Sequence, residues 1–188
     1  DRINVCTYQS VSGAGKEAME ELAKQTAGLL NAREVKPESF SRQIAFNVIP
    51  QIDVFQYNDY TKEEMKMLWE TQKIMGDQSI LVNATAVRVP VFYGHAEAIH
   101  LETRSPIDAQ HVKELLADAP GVTVYDGNEQ FPTQVSSASG NDIVHVGRIR
   151  NDITHPCGLN LWVVSDNIRK GAATNSIQIA ETLIRDYL

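Results

Sequence analysis

Five stretches rich in Val, Ile and Thr, at residues 79–89, 97–103, 121–125, 143–150 and 159–165, follow one another with one helical pattern, 107–118, among them. Branched side chains lose rotamer freedom in a helix and pack well on a pleated surface, so these runs read as strands. Strands in succession with few helices between them argue against an all-parallel sheet, whose every return needs a crossover connection. The expected fold is therefore α+β: a mixed, largely antiparallel sheet with helices packed on one face.

The rest of the chain fits that plan. RINVCTYQ at residues 2–9 alternates as a strand, SVSGAGKE turns, and apolar residues at Ala18, Met19, Leu22, Ala23, Leu29 and Leu30 keep a helical period. Residues 31–60 mix turn-formers with bulky apolar groups, which predicts an irregular packed connection. Thr61 and Glu64 have capping-box spacing and open a helix expected to run to about Met75, and a last helix is expected over 168–187. The 188 residues, 43% hydrophobic and 22% charged, suit a single domain. With 24 acidic against 17 basic residues and a net charge of -7, the chain is a poor partner for nucleic acid, whose phosphates demand clustered cations. No apolar run reaches the ~18 residues of a membrane span and no charged, apolar leader opens the sequence. Cys6 and Cys157 form neither a CxxC pair nor a disulfide framework, so the expected setting is soluble, reducing and cytoplasmic. Asp1 stands where a start methionine would, and a strand begins at once, as though the chain were cut from a longer polypeptide.

The residues that could carry chemistry suit an acidic substrate. Glu70 and Lys73, three apart on the helix after Thr61, share a face and can reach one ligand, although any charged helix produces such pairs at its surface. Arg88 interrupts an apolar strand, where a charge must be paired, at an edge or functional. His95 follows seven residues later, and on an unbroken strand the two would face opposite ways. Pro90 and Gly94 mark where a bulge or kink would bring both to one cavity. Read alone, His95 is as well explained by a structural hydrogen bond as by proton transfer. Gln9 ends the first strand, and the SGAG turn after it could offer backbone N–H groups to an anion or simply start a helix. It is not a phosphate loop, lacking both the spacing and the Ser or Thr after Lys. Cys6 is a tempting nucleophile, but Ile3, Val5, Thr7 and Gln9 share one strand face while Cys6 points the other way with Asn4 and Tyr8, so a buried core thiol is expected. Cys157 and His155 are too few for a metal site, and His100, His111 and His145 form no ligand spacing.

Taken together, TYQSVSGAGKEAMEEL, AFNVIPQID, YTKEEMKMLWETQKI, VRVPVFYGHAEA and GLNLWVVSDNIRKGAA closely resemble the bacterial aspartate-semialdehyde dehydrogenases. The likeness runs from Val5 to the C-terminus and covers the catalytic and dimerisation half of that family. It implies a fold like the C-terminal domain of glyceraldehyde-3-phosphate dehydrogenase, homodimerisation through this domain, and a preceding NADP-binding Rossmann domain, with the catalytic cysteine, that this sequence lacks. The helix at 168–188 would pack on that absent domain.

The activity so implied is the reversible, NADP-dependent conversion of L-aspartate 4-semialdehyde and inorganic phosphate into 4-aspartyl phosphate, on the route to lysine (with diaminopimelate), threonine and methionine. By motif, Gln9 orients the substrate, Arg88 holds its α-carboxylate as a fork, Glu70 meets its amino group and Lys73 the phosphate. His95 is the acid-base group that takes the hemithioacetal proton. Ser12, Gly13 and Asn167 match the cofactor contacts. The fragment alone is expected to be inactive. The competing reading is a stand-alone dimerisation module or non-catalytic paralogue of the same fold, against which the five intact site residues speak. A metal hydrolase built on His95 and His100 has no ligand cluster behind it.

Overall fold

The computed structural model describes residues 1–127 and 129–188. Its strands are β1 (Arg2–Gln9), β2 (Leu81–Arg88), β3 (His95–Glu102), β4 (Val122–Tyr125), β5 (Val144–Asn151) and β6 (Gly158–Ser165). Its helices are α1 (Lys16–Leu30), α2 (Lys62–Met75), α3 (Ala109–Ala117) and α4 (Thr174–Tyr187). The strands form one sheet in the order β2-β1-β3-β6-β5-β4. The β1/β2 and β4/β5 pairs are parallel, and the three pairs between them are antiparallel. This is the mixed, largely antiparallel α+β sheet expected from the strand runs.

Side-chain alternation divides the sheet into two unlike faces. On one, Leu159, Val146 and Ile149 are buried with Ala109 of α3, and Val112, Leu116 and Leu161 pack around them. Leu159 is fully buried, so its truncation to Ala would cost about 2–5 kcal/mol. On β2, Ala84, Ala86 and Arg88 point to this covered face and are buried, whereas Leu81, Asn83 and Thr85 point to the other and are exposed.

Thr61 and Glu64 form the expected capping box: the Glu64 N–H donates to Thr61 Oγ1 at 3.3 Å and the Thr61 N–H to Glu64 Oε2 at 2.7 Å. The second oxygen, Glu64 Oε1, accepts from the Ala86 N–H at 2.9 Å. One carboxylate thus starts α2 and fastens it to β2, which sets the rotation and height of the helix over the sheet.

The segment between α1 and α2 is irregular but packed. Ile44, Ala45 and Ile49 are buried against Val11, Ala18 and Leu22. The buried Gln25 amide oxygen accepts from the N–H groups of Ile44 and Ala45, satisfying backbone that no ladder serves. At the C-terminal end the helix expected from residue 168 begins as a wide turn, Arg169–Ala173, before α4. The buried Asp166 anchors that turn by accepting from the Ile168 and Arg169 N–H groups. Ile177, Ile179, Leu183, Ile184 and Tyr187 leave α4 with a largely exposed apolar surface.

Candidate active site

The break expected between Arg88 and His95 is larger than a bulge. β2 ends at Arg88 and β3 begins at His95. Residues 89–94 arch over the end of β1, where Val91 and Phe92 carbonyls accept from the Val11 and Ser12 N–H groups. Gly94 completes the arch at φ 83, a conformation that costs other residues more. Arg88 and His95 therefore flank β1 from opposite sides. Gln9 is in register with Arg88 on one side and with His95 on the other, and His95 is in register with Ser165 of β6. Arg88, Gln9, His95 and Ser165 make a row across four strands on the helix-covered face.

That row lines a cavity of about 730 Å³, bordered also by Ser12, Gly13, Asp53, Glu63, Lys66, Glu97 and Asn167. Glu70 and Lys73 are not among its lining residues; both are exposed. Glu63 and Lys66 stand in the cavity instead, 3.0 Å apart. The reason is geometric: seven residues are nearly two full turns, so the two pairs share a helical face, but Glu70 and Lys73 sit about 10 Å further along the axis. The face was legible from spacing, and the height was not.

The polar groups of the site are held in place. Gln9, 6% exposed, accepts at Oε1 from the Thr7 hydroxyl (3.0 Å) and donates through Nε2 to Glu63 Oε1 (3.3 Å). Arg88, equally buried, spends one Nη1 hydrogen bond on the Ser10 carbonyl at 2.7 Å. Burial lowers its pKa, with the Glu63 carboxylate opposing, and among the described residues the fork makes no other hydrogen bond. The Glu63 hydrogen bond pushes the Lys66 pKa up, so the ammonium is secure. Burial, aided by the Arg88 charge, lowers His95 to about 4, against a backbone hydrogen bond with Gly94 and the smaller pull of Glu63 and Asp166. Burial likewise raises Glu97, two residue pairs below the row and the next on the same face.

Ser12 and Asn167 are joined: Asn167 Nδ2 donates to Ser12 Oγ at 2.9 Å, and Asn167 Oδ1 accepts from the Gly94 N–H at 2.9 Å and from Ser10 Oγ at 3.1 Å. A Cβ at Gly13 would lie 3.2 Å from Arg88 Nη1 and 3.4 Å from His95 Nε2, a tight fit that would press on both side chains. The turn does not offer free amides to an anion as its sequence allowed. The N–H groups of Val11, Ser12, Gly13 and Gly15 are all taken by backbone carbonyls.

Cys6 lies on the opposite face from Gln9, as parity required, but it is half-buried and not part of the core. It borders a shallow depression with Asn83, Thr85 and His100; the helical turn Gln134–Ala138 covers that side of the sheet around Tyr8, Ala96 and Val164, not at Cys6. Cys157 sits in a turn whose N–H donates to His155 Nδ1, so the nearby imidazole serves the backbone and not the thiol. Among the described residues no cluster of three metal-ligating groups occurs, and no helix is long and apolar enough to cross a membrane. Spacing did not single out Glu63, Lys66, Glu97 or Ser10; only the repeat of Glu-x-x-Lys on α2 signalled the first two.

A buried guanidinium, an imidazole and a carboxylate-ammonium pair thus converge on one end of a mixed sheet. Residues 1–170 match the model of the semialdehyde dehydrogenase family, dimerisation domain, and the chain belongs to that family. It is 65% identical over 186 residues to an aspartate-semialdehyde dehydrogenase of Shewanella sp. (strain DB6705), covering 99% of this chain and 55% of the relative. A crystal structure of aspartate semialdehyde dehydrogenase II from Vibrio cholerae, complexed with ASA, superposes with a TM-score of 0.96 at 65% identity, covering all of this chain and 55% of that one. The Candida albicans enzyme, solved with NADP, superposes at 0.69 with 26% identity over 98% of this chain and 50% of that one. The chain thus spans about half the length of these relatives.

Proposed function

We propose that this chain is the substrate-binding and dimerisation part of an NADP-dependent aspartate-semialdehyde dehydrogenase, and that it supplies every substrate contact except the nucleophile. In the full enzyme a cysteine thiolate from a segment outside this chain attacks the aldehyde of L-aspartate 4-semialdehyde, and inorganic phosphate then releases 4-aspartyl phosphate from the thioester. The observation that carries this reading is the row Arg88, Gln9, His95 with Glu63 and Lys66 at its border.

Arg88 holds the α-carboxylate with the part of its fork that Ser10 does not occupy, a planar bidentate contact that Lys could not make. Glu63 meets the amino group, and Lys66 the phosphate, the roles that the sequence pattern placed two turns further along at Glu70 and Lys73. Gln9, clamped by Thr7 and Glu63, orients the reacting end, and His95 addresses the aldehyde oxygen.

The small residues Ser12, Gly13 and Asn167 suit the nicotinamide end of the cofactor. Asn167 Nδ2 gives one hydrogen to Ser12, which leaves the other for a carboxamide oxygen. NADP, when bound, accepts the hydride. The remaining cofactor contacts belong to a Rossmann domain preceding this chain, on which the apolar surface of α4 packs. A second copy pairs through the uncovered sheet face of Asn4, Asn83, Thr85, His100 and Asn160, in a soluble cytoplasmic homodimer serving lysine, threonine and methionine synthesis.

The test is phosphate-dependent NADP reduction by the full-length enzyme. Alanine at Arg88 or His95 should abolish most of it, and Cys6→Ser should leave it unchanged. Loss of turnover on Cys6→Ser would place the nucleophile in this chain.

A further inference from the structure

The strand ends that carry Gln9 and His95 are held from behind the sheet. Alternation sends those two side chains to the helix-covered face, so their neighbours Tyr8 and Ala96 point to the other. On that side the helical turn Gln134–Ala138 packs through the buried Ala138 against Ala96 and Val164. The Gln134 side chain reaches from the turn to both strand ends. Its Nε2 donates to the Tyr8 carbonyl at 2.9 Å and to the Gly94 carbonyl at 2.7 Å. Tyr8 and Gly94 immediately precede Gln9 and His95. A carbonyl shares a rigid plane with the N and Cα of the next residue, so fixing it fixes where that residue's side chain starts.

The turn holds this amide still. Trp162 Nε1 donates to the Pro132 carbonyl at 3.0 Å, the Ser136 N–H donates to Thr133 Oγ1 at 3.0 Å, and the Thr133 N–H donates to Ser137 Oγ at 3.1 Å. Gly94 lets the turn come close, since a Cβ there would lie 3.2 Å from both the Gln134 carbonyl oxygen and the Ala138 Cβ. The Gly94 N–H is taken by Asn167 Oδ1 at 2.9 Å, so the residue before His95 is fastened at its N–H and at its C=O.

We propose that Gln134 is a positioning residue of this site: its side-chain amide, bridging the Tyr8 and Gly94 carbonyls, sets how Gln9 and His95 stand relative to one another in the cavity. The inference rests on the reading that these two side chains serve the substrate, and adds a group that touches neither. A primary amide nitrogen carries two hydrogens, and both are used here. Leu matches the bulk of Gln134 without a donor. An ionised Glu matches its shape but turns an oxygen toward both carbonyls, and Lys offers an ammonium with three donors.

Variants of the full-length enzyme test this. Gln134→Leu and Gln134→Glu should each lower kcat by roughly ten- to a hundredfold, the scale of a small misplacement of reacting groups. The KM for phosphate should stay within about twofold of wild type, because Lys66 stands on α2 and is held by Glu63. Gln134→Lys should recover most of the loss. NMR of enzyme labelled at Gln and His should show the Gln9 and His95 side-chain resonances displaced in Gln134→Leu. Undisplaced resonances would overturn the proposal whatever the activity. Equal loss in the Lys and Leu variants, or a phosphate KM that rises as kcat falls, would make the effect a general structural one and overturn it as well. Displaced resonances with unchanged kcat would also overturn it. In that case a His95→Ala enzyme that keeps its kcat traces the failure to the reading of the site, and one that loses it traces the failure to Gln134.

Discussion

Arg88 and His95, seven residues apart in the chain, end and begin two strands that enclose Gln9 in register from opposite sides. The arch of residues 89–94 makes this possible by carrying the chain over the end of β1. Arg88→Ala in the full-length enzyme should lower kcat/KM by an amount equivalent to about 2–5 kcal/mol, because a buried charge-assisted contact is lost. Arg88→Lys should recover little of it, since an ammonium cannot make the fork. Steady-state kinetics with aspartate semialdehyde checks both.

The two Glu-x-x-Lys pairs of α2 give a sharp contrast. Lys66→Ala should raise the KM for phosphate, and Glu63→Gln should weaken both substrate binding and the hold on Gln9. Glu70→Gln and Lys73→Ala, on exposed positions, should change stability by no more than about 0.5 kcal/mol and leave kinetics intact. Phosphate dependence of initial rates separates the pairs.

Stability should depend on pH through two partly buried groups of opposite sign. His95 is lowered from 6.5 to about 4 by burial, so the unfolded chain takes up its proton first. The stability this site contributes is complete above 6.5 and is lost as pH falls toward about 4. Glu97 is raised above 4.5 by burial, so its ionisation penalises the native state increasingly as pH rises past that value. Glu97→Gln should raise Tm near neutrality, and the gain should shrink on acidification. Thermal melts across that range test the signs.

The uncovered sheet face should bury itself against a second copy. Substituting Lys at Thr85, exposed on that face, should weaken association by placing an unpaired charge in the interface. Sedimentation should show a concentration-dependent dimer for the wild type and a shift toward monomer for Thr85→Lys.

Much of this fold could be read before any coordinates because its strands are branched and its helix starts are marked. The Thr61–Glu64 box and the alternation of residues 2–9 put α2 and β1 in place, and the same alternation excluded Cys6 from the site. Periodicity gives a residue's face but not its height, so it could not choose Glu63 and Lys66 over Glu70 and Lys73. The height of α2 over the sheet is set by the Glu64 bond to the Ala86 amide, a tertiary contact. A strand thiol reads as core from sequence, yet Cys6 is half-buried, because the helical turn Gln134–Ala138 on its side of the sheet packs around Tyr8, Ala96 and Val164 instead. Ser10 carries no signal in its own identity, since the groups that hold Arg88 and His95 are mainly its backbone.

On the reading proposed above, this chain alone forms the clamp for the substrate's charged groups. Titrating the 188-residue chain with aspartate semialdehyde, followed by residue-resolved NMR, tests it most directly. Shifts should concentrate at Gln9, Glu63, Arg88 and His95 and vanish in Arg88→Ala. Shifts centred on Glu70 and Lys73, or binding indifferent to Arg88, would contradict it.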